Sequence, residues 1–258
     1  MNIKFGPVGI GKLKDIEKTF KEYSGLGFRC VEIPFTYGIY IKEKETAEKI
    51  KHLAEKYNLE LSIHAPYWIN LNSEDWEKIE ASKERIIESC KVGEWLGAKV
   101  VVFHAGFFGK INREETYDNI KNRINEIQEV INNRNKWKIK LAPETMGKIN
   151  VFGSVKEISL LVKETDCSFC LDFAHILARD KKIDMKKIET LFPEKEWHAH
   201  YSGIEYGEKG EKRHIPTEDA YWEGLFDKLP KEKKIRLICE APEPVKDAVN
   251  GLQIYLSQ

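Results

Sequence analysis

The chain has 258 residues, of which 41% are hydrophobic, and its 42 basic residues are balanced by 42 acidic ones. That length and content suffice for one substantial core. A net charge of zero excludes a uniformly basic, nucleic-acid-coating surface but leaves room for a local basic rim around an acidic site. No apolar run approaches the roughly 18 residues of a membrane span. No membrane partner is expected, and the N-terminus shows no secretory leader pattern. Five cysteines (Cys30, Cys90, Cys167, Cys170, Cys239) are few and odd in number. Reduced thiols in a cytoplasm fit that count, and the Cys167/Cys170 pair reads as structural.

In chain order, short apolar runs alternate with segments of helical period. Runs at 3–5, 30–33, 59–63, 100–103, 139–142, 168–171, 197–201 and 235–239 predict eight strands. Leu13, Ile16 and Phe20 mark the first intervening helix, and a second is expected over 43–57. Ile120, Ile124, Ile127 and Ile131 step by four, three and four along one face. Val155, Ile158, Leu161 and Val162 follow Ser154, a suitable N-cap. Val245, Ala248, Val249 and Leu252 mark the last helix. A run such as Val100-Val101-Val102-Phe103 is apolar at consecutive positions. Strands covered on both faces look like that, as in a parallel sheet under helices. Eight such units in one domain, 1–258, predict a single α/β fold, a (β/α)8 TIM barrel. Gly9-Ile10-Gly11 after the first strand lacks the GxGxxG pattern, so no nucleotide cofactor is expected.

In such a barrel the chemistry stands at the C-terminal ends of the strands. The third predicted strand ends in His64, the fourth in His104 and the fifth in Glu144. The sixth ends in Asp172, with His175 three residues on, outside any predicted helix. The seventh carries His200, a loop follows with His214, and the eighth ends in Glu240. Six successive strands ending in imidazole or carboxylate would be costly to bury unless a cation satisfied them. Mixed nitrogen and oxygen donors suit zinc, manganese or iron. Eight ligands exceed the needs of one ion. Two or three neighbouring ions suit phosphoryl chemistry, one activating water and the others neutralising phosphate and leaving oxygen. One ion held by Glu144, Asp172, His200 and Glu240 alone would suit a sugar isomerase or epimerase. His52, within a predicted helix, and His198, deeper on the strand of His200, read as structural, His198 as a partner behind the ligands.

Taken together, His64-Ala65-Pro66-Tyr67-Trp68-Ile69-Asn70, Phe103-His104-Ala105-Gly106, Glu144-Thr145, Leu171-Asp172-Phe173-Ala174-His175, His198-Ala199-His200, Arg213-His214 and Glu240 resemble endonuclease IV. This is AP endonuclease family 2, among the xylose-isomerase-like barrels. The resemblance runs from the second strand onward and keeps the motif order. It implies a metal-dependent phosphodiesterase that cleaves DNA on the 5′ side of abasic sites in base excision repair. Its cofactor would be zinc, with hydroxide held between two ions beside Glu144, and Glu144 and Glu240 at the catalytic centre. His64, His104 and Glu144 would hold one ion. Glu144, Asp172, His200 and Glu240 would hold a second, and His175 and His214 a third. Tyr67 and Trp68 match loop residues that enter the minor groove at the lesion, and an aromatic ring there can stack where a base is missing. Lys212 and Arg213 are expected on the DNA backbone, together with Lys110, Arg113, Lys148, Arg179 and Lys209. A monomer is expected.

One departure is specific. Lys212 stands where the family has an Asp two residues before the histidine, and the chain continues His214-Ile215-Pro216-Thr217 without the usual glycines. A protonated Lys is no ligand. Two ions are therefore expected to bind tightly, and the third site to be altered. Either Glu211 or Glu208 substitutes, or the Lys212 charge itself faces the substrate phosphate.

Overall fold

The computed structural model describes residues 2–258. The alternation becomes β1 (Ile3–Pro7), α1 (Ile16–Gly25), β2 (Cys30–Pro34), α2 (Lys44–Lys56), β3 (Glu60–His64), α3 (Trp76–Leu96) and β4 (Val100–Phe103). Then come α4 (Arg113–Gln128), β5 (Lys140–Pro143), α5 (Val155–Thr165), β6 (Leu171–Asp172), α6 (Phe173–Asp180) and α7 (Met185–Leu191). The chain ends with β7 (Glu196–Tyr201), β8 (Gly203–Gly207), β9 (Gly210–Ile215), α8 (Asp219–Phe226), β10 (Lys234–Cys239) and α9 (Pro244–Ser257). Two parallel half-barrels form, in the orders β2-β3-β4-β5 and β1-β10-β7-β6. Isolated parallel bridges, Val8 to Glu32 and Glu144 to Cys170, join the halves and close the barrel.

Residues of one strand serve two layers. In β4, Val101 and Phe103 join the large core beneath the helices, while Val100 and Val102 pack with Ala142 and Cys170 in a separate small cluster. That is the two-sided burial which makes such strands continuously apolar. The expected cap of α5 is present as a reciprocal capping box: Glu157 N–H donates to Ser154 Oγ, and Glu157 Oε2 accepts from Ser154 N–H. Helix α4 runs into a π-turn, Glu129–Arg134, which keeps Ile131 buried. All five cysteines are buried and free.

Three local expectations are corrected. The sixth strand is Leu171–Asp172, not 168–171, because Cys170 makes only the single bridge to Glu144. His175 lies inside a helix: the strand runs straight into α6, whose N-cap is Asp172 and whose first turn carries His175. His214 sits on a strand, in an antiparallel hairpin of β8 and β9 inserted after the seventh barrel strand.

Closure between β1 and β2 depends on an absent side chain. Arg29 N–H donates to Phe5 O at 2.9 Å and Gly9 N–H to Glu32 O at 2.8 Å, drawing the strands together. A Cβ on Gly6 would lie 1.7 Å from Cys30 O, a backbone atom that cannot swing aside. Gly6→Ala is expected to destabilise the protein by about 3 kcal/mol, the upper part of the usual overpacking range. Chemical denaturation measures it, and an unchanged midpoint would show that the strands can part without cost.

Candidate metal centre

The strand ends deliver the expected residues to one place. His64 is the last residue of β3 and Asp172 the last of β6; His104, Glu144 and Glu240 follow β4, β5 and β10 directly, and His200 is next to last in β7. Of these, His64, His104 and Glu240 line a cleft of about 530 Å³, together with His175 and His214, while Glu144, Asp172 and His200 are buried. The candidate ligands gather as His64–His104–Glu144, as Glu144–Asp172–His200–Glu240 and as Asp172–His175–His214. Glu144 belongs to two of these groups and Asp172 to two.

Hydrogen bonds fix which ring nitrogens face the cleft. His64 Nδ1 lies 2.8 Å from Ala65 O, and His175 Nδ1 3.0 Å from Thr145 O. A carbonyl can only accept, so both Nδ1 atoms carry the proton and both Nε2 atoms point inward. Nε2 of His64 and Nε2 of His104 each lie 3.2 Å from Glu144 Oε2. The other carboxylate oxygen, Oε1, is 3.0 Å from His175 Nδ1 and 3.8 Å from His200 Nδ1. Glu144 Oε1, Asp172 Oδ2 and His200 Nδ1 are buried without a well-aligned hydrogen-bond partner. Such orphaned atoms are costly unless something satisfies them. Four-coordinate zinc has bonds of about 2.0–2.1 Å, which places its donors roughly 3.3 Å apart. The spacings about Glu144 Oε2 match that edge, so this donor set fits a divalent cation.

Without a cation, protons must supply the positive charge. Burial disfavours the imidazolium of His64, but the Glu144 carboxylate outweighs it and pushes the group up to about 9. His175 rises against burial to about 10 under Asp172 and Glu144. Burial likewise opposes ionisation of Glu144, yet His104, His175 and His200 hold it well below the usual carboxylate range.

Sequence reasoning missed Glu32. It lies in β2, fully buried, opposite Ser62 of β3. Its Oε2 accepts from Ser62 Oγ at 2.8 Å and meets His198 Nε2 at 2.9 Å, while Oε1 is 3.0 Å from His200 Nε2, off the line of a good hydrogen bond. A carboxylate on that side favours the proton on Nε2 of His200 and leaves Nδ1 to face Glu144 and Glu240. His198 thus stands behind His200, linked to it through Glu32, and His52 stands exposed on α2 beside Glu55. The available signal was an acid inside an apolar strand, Cys30-Val31-Glu32-Ile33.

On the rim, Tyr67 and Trp68 are exposed, and the Tyr67 ring stacks on His104 with centroids 6.0 Å apart. Phe107, which sequence reasoning passed over, is exposed beside them and lines the cleft, as does Lys148. Lys212 and Arg213 both pair with Glu205, at 3.2 and 2.8 Å, with their side chains largely in solvent. Arg179 is corrected from surface phosphate contact to loop organiser: it is largely buried and donates to the carbonyls of Met146, Lys148 and Val151.

Over 97% of its length the chain is 34% identical to an uncharacterized protein of Methanocaldococcus jannaschii, 96% of which is matched. It is 31% identical to a probable endonuclease 4 of Thermoplasma volcanium over 67% of this chain and 58% of that one, so only part of that relative is spanned. A D-tagatose 3-epimerase-like protein superposes with a TM-score of 0.75 at 20% identity, covering 98% of this chain and 97% of its own, a likeness of fold alone. A family model described as xylose isomerase-like TIM barrel matches residues 20–257, and the chain belongs to that family.

Proposed function

We propose that this protein is a metal-dependent phosphodiesterase that cleaves DNA 5′ to abasic sites. The observation that carries the reading is the division of Glu144: Oε2 faces His64 and His104, while Oε1 faces His200 and the carboxylates beyond it. A carboxylate so placed suits a pair of cations, one held by His64, His104 and Glu144 and the other by Glu144, Asp172, His200 and Glu240. When bound, zinc or a similar ion supplies a water acidic enough to attack phosphorus at neutral pH and positive charge against the reacting phosphate. The chain's own residues do the rest. Glu32 and Ala65 O orient His200 and His64. Tyr67, packed on His104, excludes water above the first group, and with Trp68 offers rings for the gap left by a missing base. Lys148, Lys212 and Arg213 offer charge to the phosphate backbone. The probable endonuclease 4 of Thermoplasma volcanium supports this reading through sequence.

A second reading has its own support. Glu144, Asp172, His200 and Glu240 alone could serve one cation in a sugar isomerase or epimerase, and a D-tagatose 3-epimerase-like protein shares the fold. The histidines outside that set, His64, His104, His175 and His214, have no ligand role in such an enzyme.

The deciding assay incubates a duplex bearing one abasic analogue with the protein, with chelator, and with chelator followed by zinc, manganese or iron, beside ketose substrates. Metal-restored cleavage 5′ to the lesion is expected, and Glu144→Gln should lower its rate by roughly 1,000-fold or more, as loss of a central catalytic group does. Ketose epimerisation without duplex cleavage would select the second reading.

The metal-free protein should also show a defined pH dependence. His64 and His175, raised to about 9 and about 10, titrate near 6.5 when unfolded. Their contribution to stability is full below about pH 6.5 and is lost as pH rises through their folded values. Melting temperature after chelation should therefore fall between about pH 6.5 and 10, and added zinc should blunt the fall. A flat profile over that window would remove these imidazolium–carboxylate contacts from the account.

A further inference from the structure

We propose that the face of the barrel remote from the candidate metal centre holds a binding site for a nucleotide carrying two or three phosphates. The inference is independent of which reaction runs at the strand ends, since it uses none of those residues.

Topology sets the place. At the N-terminal ends of the strands lies a cavity of about 1030 Å³, nearly twice the volume of the cleft at the metal centre. Its walls take Lys99 just before β4, Lys140 at the start of β5, Ser168 before β6, Lys195 before β7 and Arg236 in β10. Helix α5 contributes Lys163, and the segment after α7 contributes Glu194. Backbone contacts pin this frame. Glu94 Oε2 accepts from the N–H groups of Lys138 and Ile139 at 2.8 and 3.2 Å. Lys233, only 6% exposed, donates from Nζ to Phe192 O, Pro193 O and Glu194 O. Ser168 N–H donates to Leu141 O at 2.7 Å. Walls built in advance keep the ordering cost of binding low.

The charge on those walls is unbalanced. Lys99, Lys138, Lys140, Lys163, Lys195 and Arg236 line the cavity, against Asp166, Glu194 and Glu196. Arg236 is neutralised within the wall, its Nη1 lying 3.4 Å from Glu60 and 3.5 Å from Glu196. That engages Glu196 and leaves five lysines facing Asp166 and Glu194. Among the described residues, none of the five forms an ion pair, whereas Lys4, Lys56, Lys83, Lys91 and Lys121 elsewhere on the surface all do. Ammonium groups gathered round one cavity repel one another, and a multiply charged anion relieves that repulsion. A short phosphate chain carries such charge in a small volume.

Two unpaired polar atoms and an apolar wall select the rest of the ligand. Arg236 Nε and Glu194 Oε2 are buried without a hydrogen-bond partner, and both residues line the cavity. The first is a donor and calls for an acceptor, the second an acceptor that calls for an N–H. A bare phosphate chain offers nothing to Glu194, whose carboxylate it repels. An amino-substituted heterocycle offers both donor and acceptor. Its flat faces suit Val100, Leu160, Val162 and Leu191, which line the same cavity. A nucleotide joins that ring to phosphates. Lysines rather than the amides of a glycine-rich turn take the phosphates here, so the lack of a GxGxxG pattern does not bear on this site.

Titration calorimetry of ATP into chelator-stripped protein at low ionic strength tests this, with melting curves to establish that each variant is folded. Stripping removes cations at the other face that would themselves bind phosphate. AMP, inorganic pyrophosphate and a single-stranded oligonucleotide are titrated beside it. One ATP per chain should bind with a Kd below about 1 mM, the weak end of specific affinity. AMP, with fewer charges, should bind about 10-fold more weakly or worse, and the double variant Lys140→Gln, Lys163→Gln should weaken ATP about as much. Lys148→Gln, in the cleft on the other face, should leave ATP binding unchanged. Failure of ATP to bind, or wild-type ATP affinity in the folded double variant, overturns the inference. Pyrophosphate bound as tightly as ATP overturns the choice of a nucleotide. An oligonucleotide that displaces ATP at equal phosphate concentration overturns it in favour of nucleic acid.

Discussion

The arrangement of the barrel mouth follows from one buried anion. Glu144 is only 1% exposed, and burial alone would drive its carboxyl to the neutral form. It stays ionised because imidazoles on β3, α6 and β7, and one directly after β4, converge on it. A buried charge of this kind is tolerable only with close, well-directed partners. The partners are therefore fixed in turn. Ala65 O and Thr145 O set the proton on two rings, Glu32 bears on a third, and Ser62 and His198 hold Glu32. Barrel closure serves the same end, since one of the two bridges joining the half-barrels is made by Glu144 itself, to Cys170.

Much of this was legible in the sequence because two signals are local. Consecutive apolar residues such as Val100-Val101-Val102-Phe103 report burial on both strand faces, and helix-facing isoleucines recur at helical spacing. The strand ends then order the candidate ligands, since the third to the eighth predicted strand each carry a His, Asp or Glu where the apolar run stops or next to it. The sixth strand was misplaced because a two-residue strand leaves almost no periodic signal. His175 was put outside a helix because Asp172 serves both as strand end and as helix cap, a double role that spacing does not reveal.

What escaped the sequence was set by long-range partners. Glu32 is 166 residues from His198 in the chain and meets it only across the closed barrel. Arg179 has the composition of a phosphate contact, yet three carbonyls of the loop after β5 take its guanidinium. The hairpin of β8 and β9 is polar along much of its length, and its half-exposed strands lack the continuous apolar run that identified the barrel strands. Its bulge cannot be read from spacing at all. By spacing, Lys212 replaces a carboxylate. In three dimensions the extra residue turns Lys212 toward Glu205 and leaves Glu211 on the side of His214.

The fold does not decide between a nuclease and a sugar enzyme, because one barrel of this kind hosts unrelated chemistries by changing what stands at the strand ends. The distinction lies in how the buried carboxylates are divided. One cation needs only Glu144, Asp172, His200 and Glu240, and His64 and His175 would then be buried without a ligand's role. His64 and His175 argue against that economy. Each has its Nδ1 proton committed to a backbone carbonyl and its Nε2 aimed at other lone pairs. Like-for-like lone pairs about 3.2 Å apart repel unless a proton or a cation lies between them. Two such places on opposite sides of Glu144 call for positive charge at more than one point. A phosphodiester, with charge on its non-bridging oxygens and more developing on the leaving oxygen, is a substrate that uses positive charge so distributed.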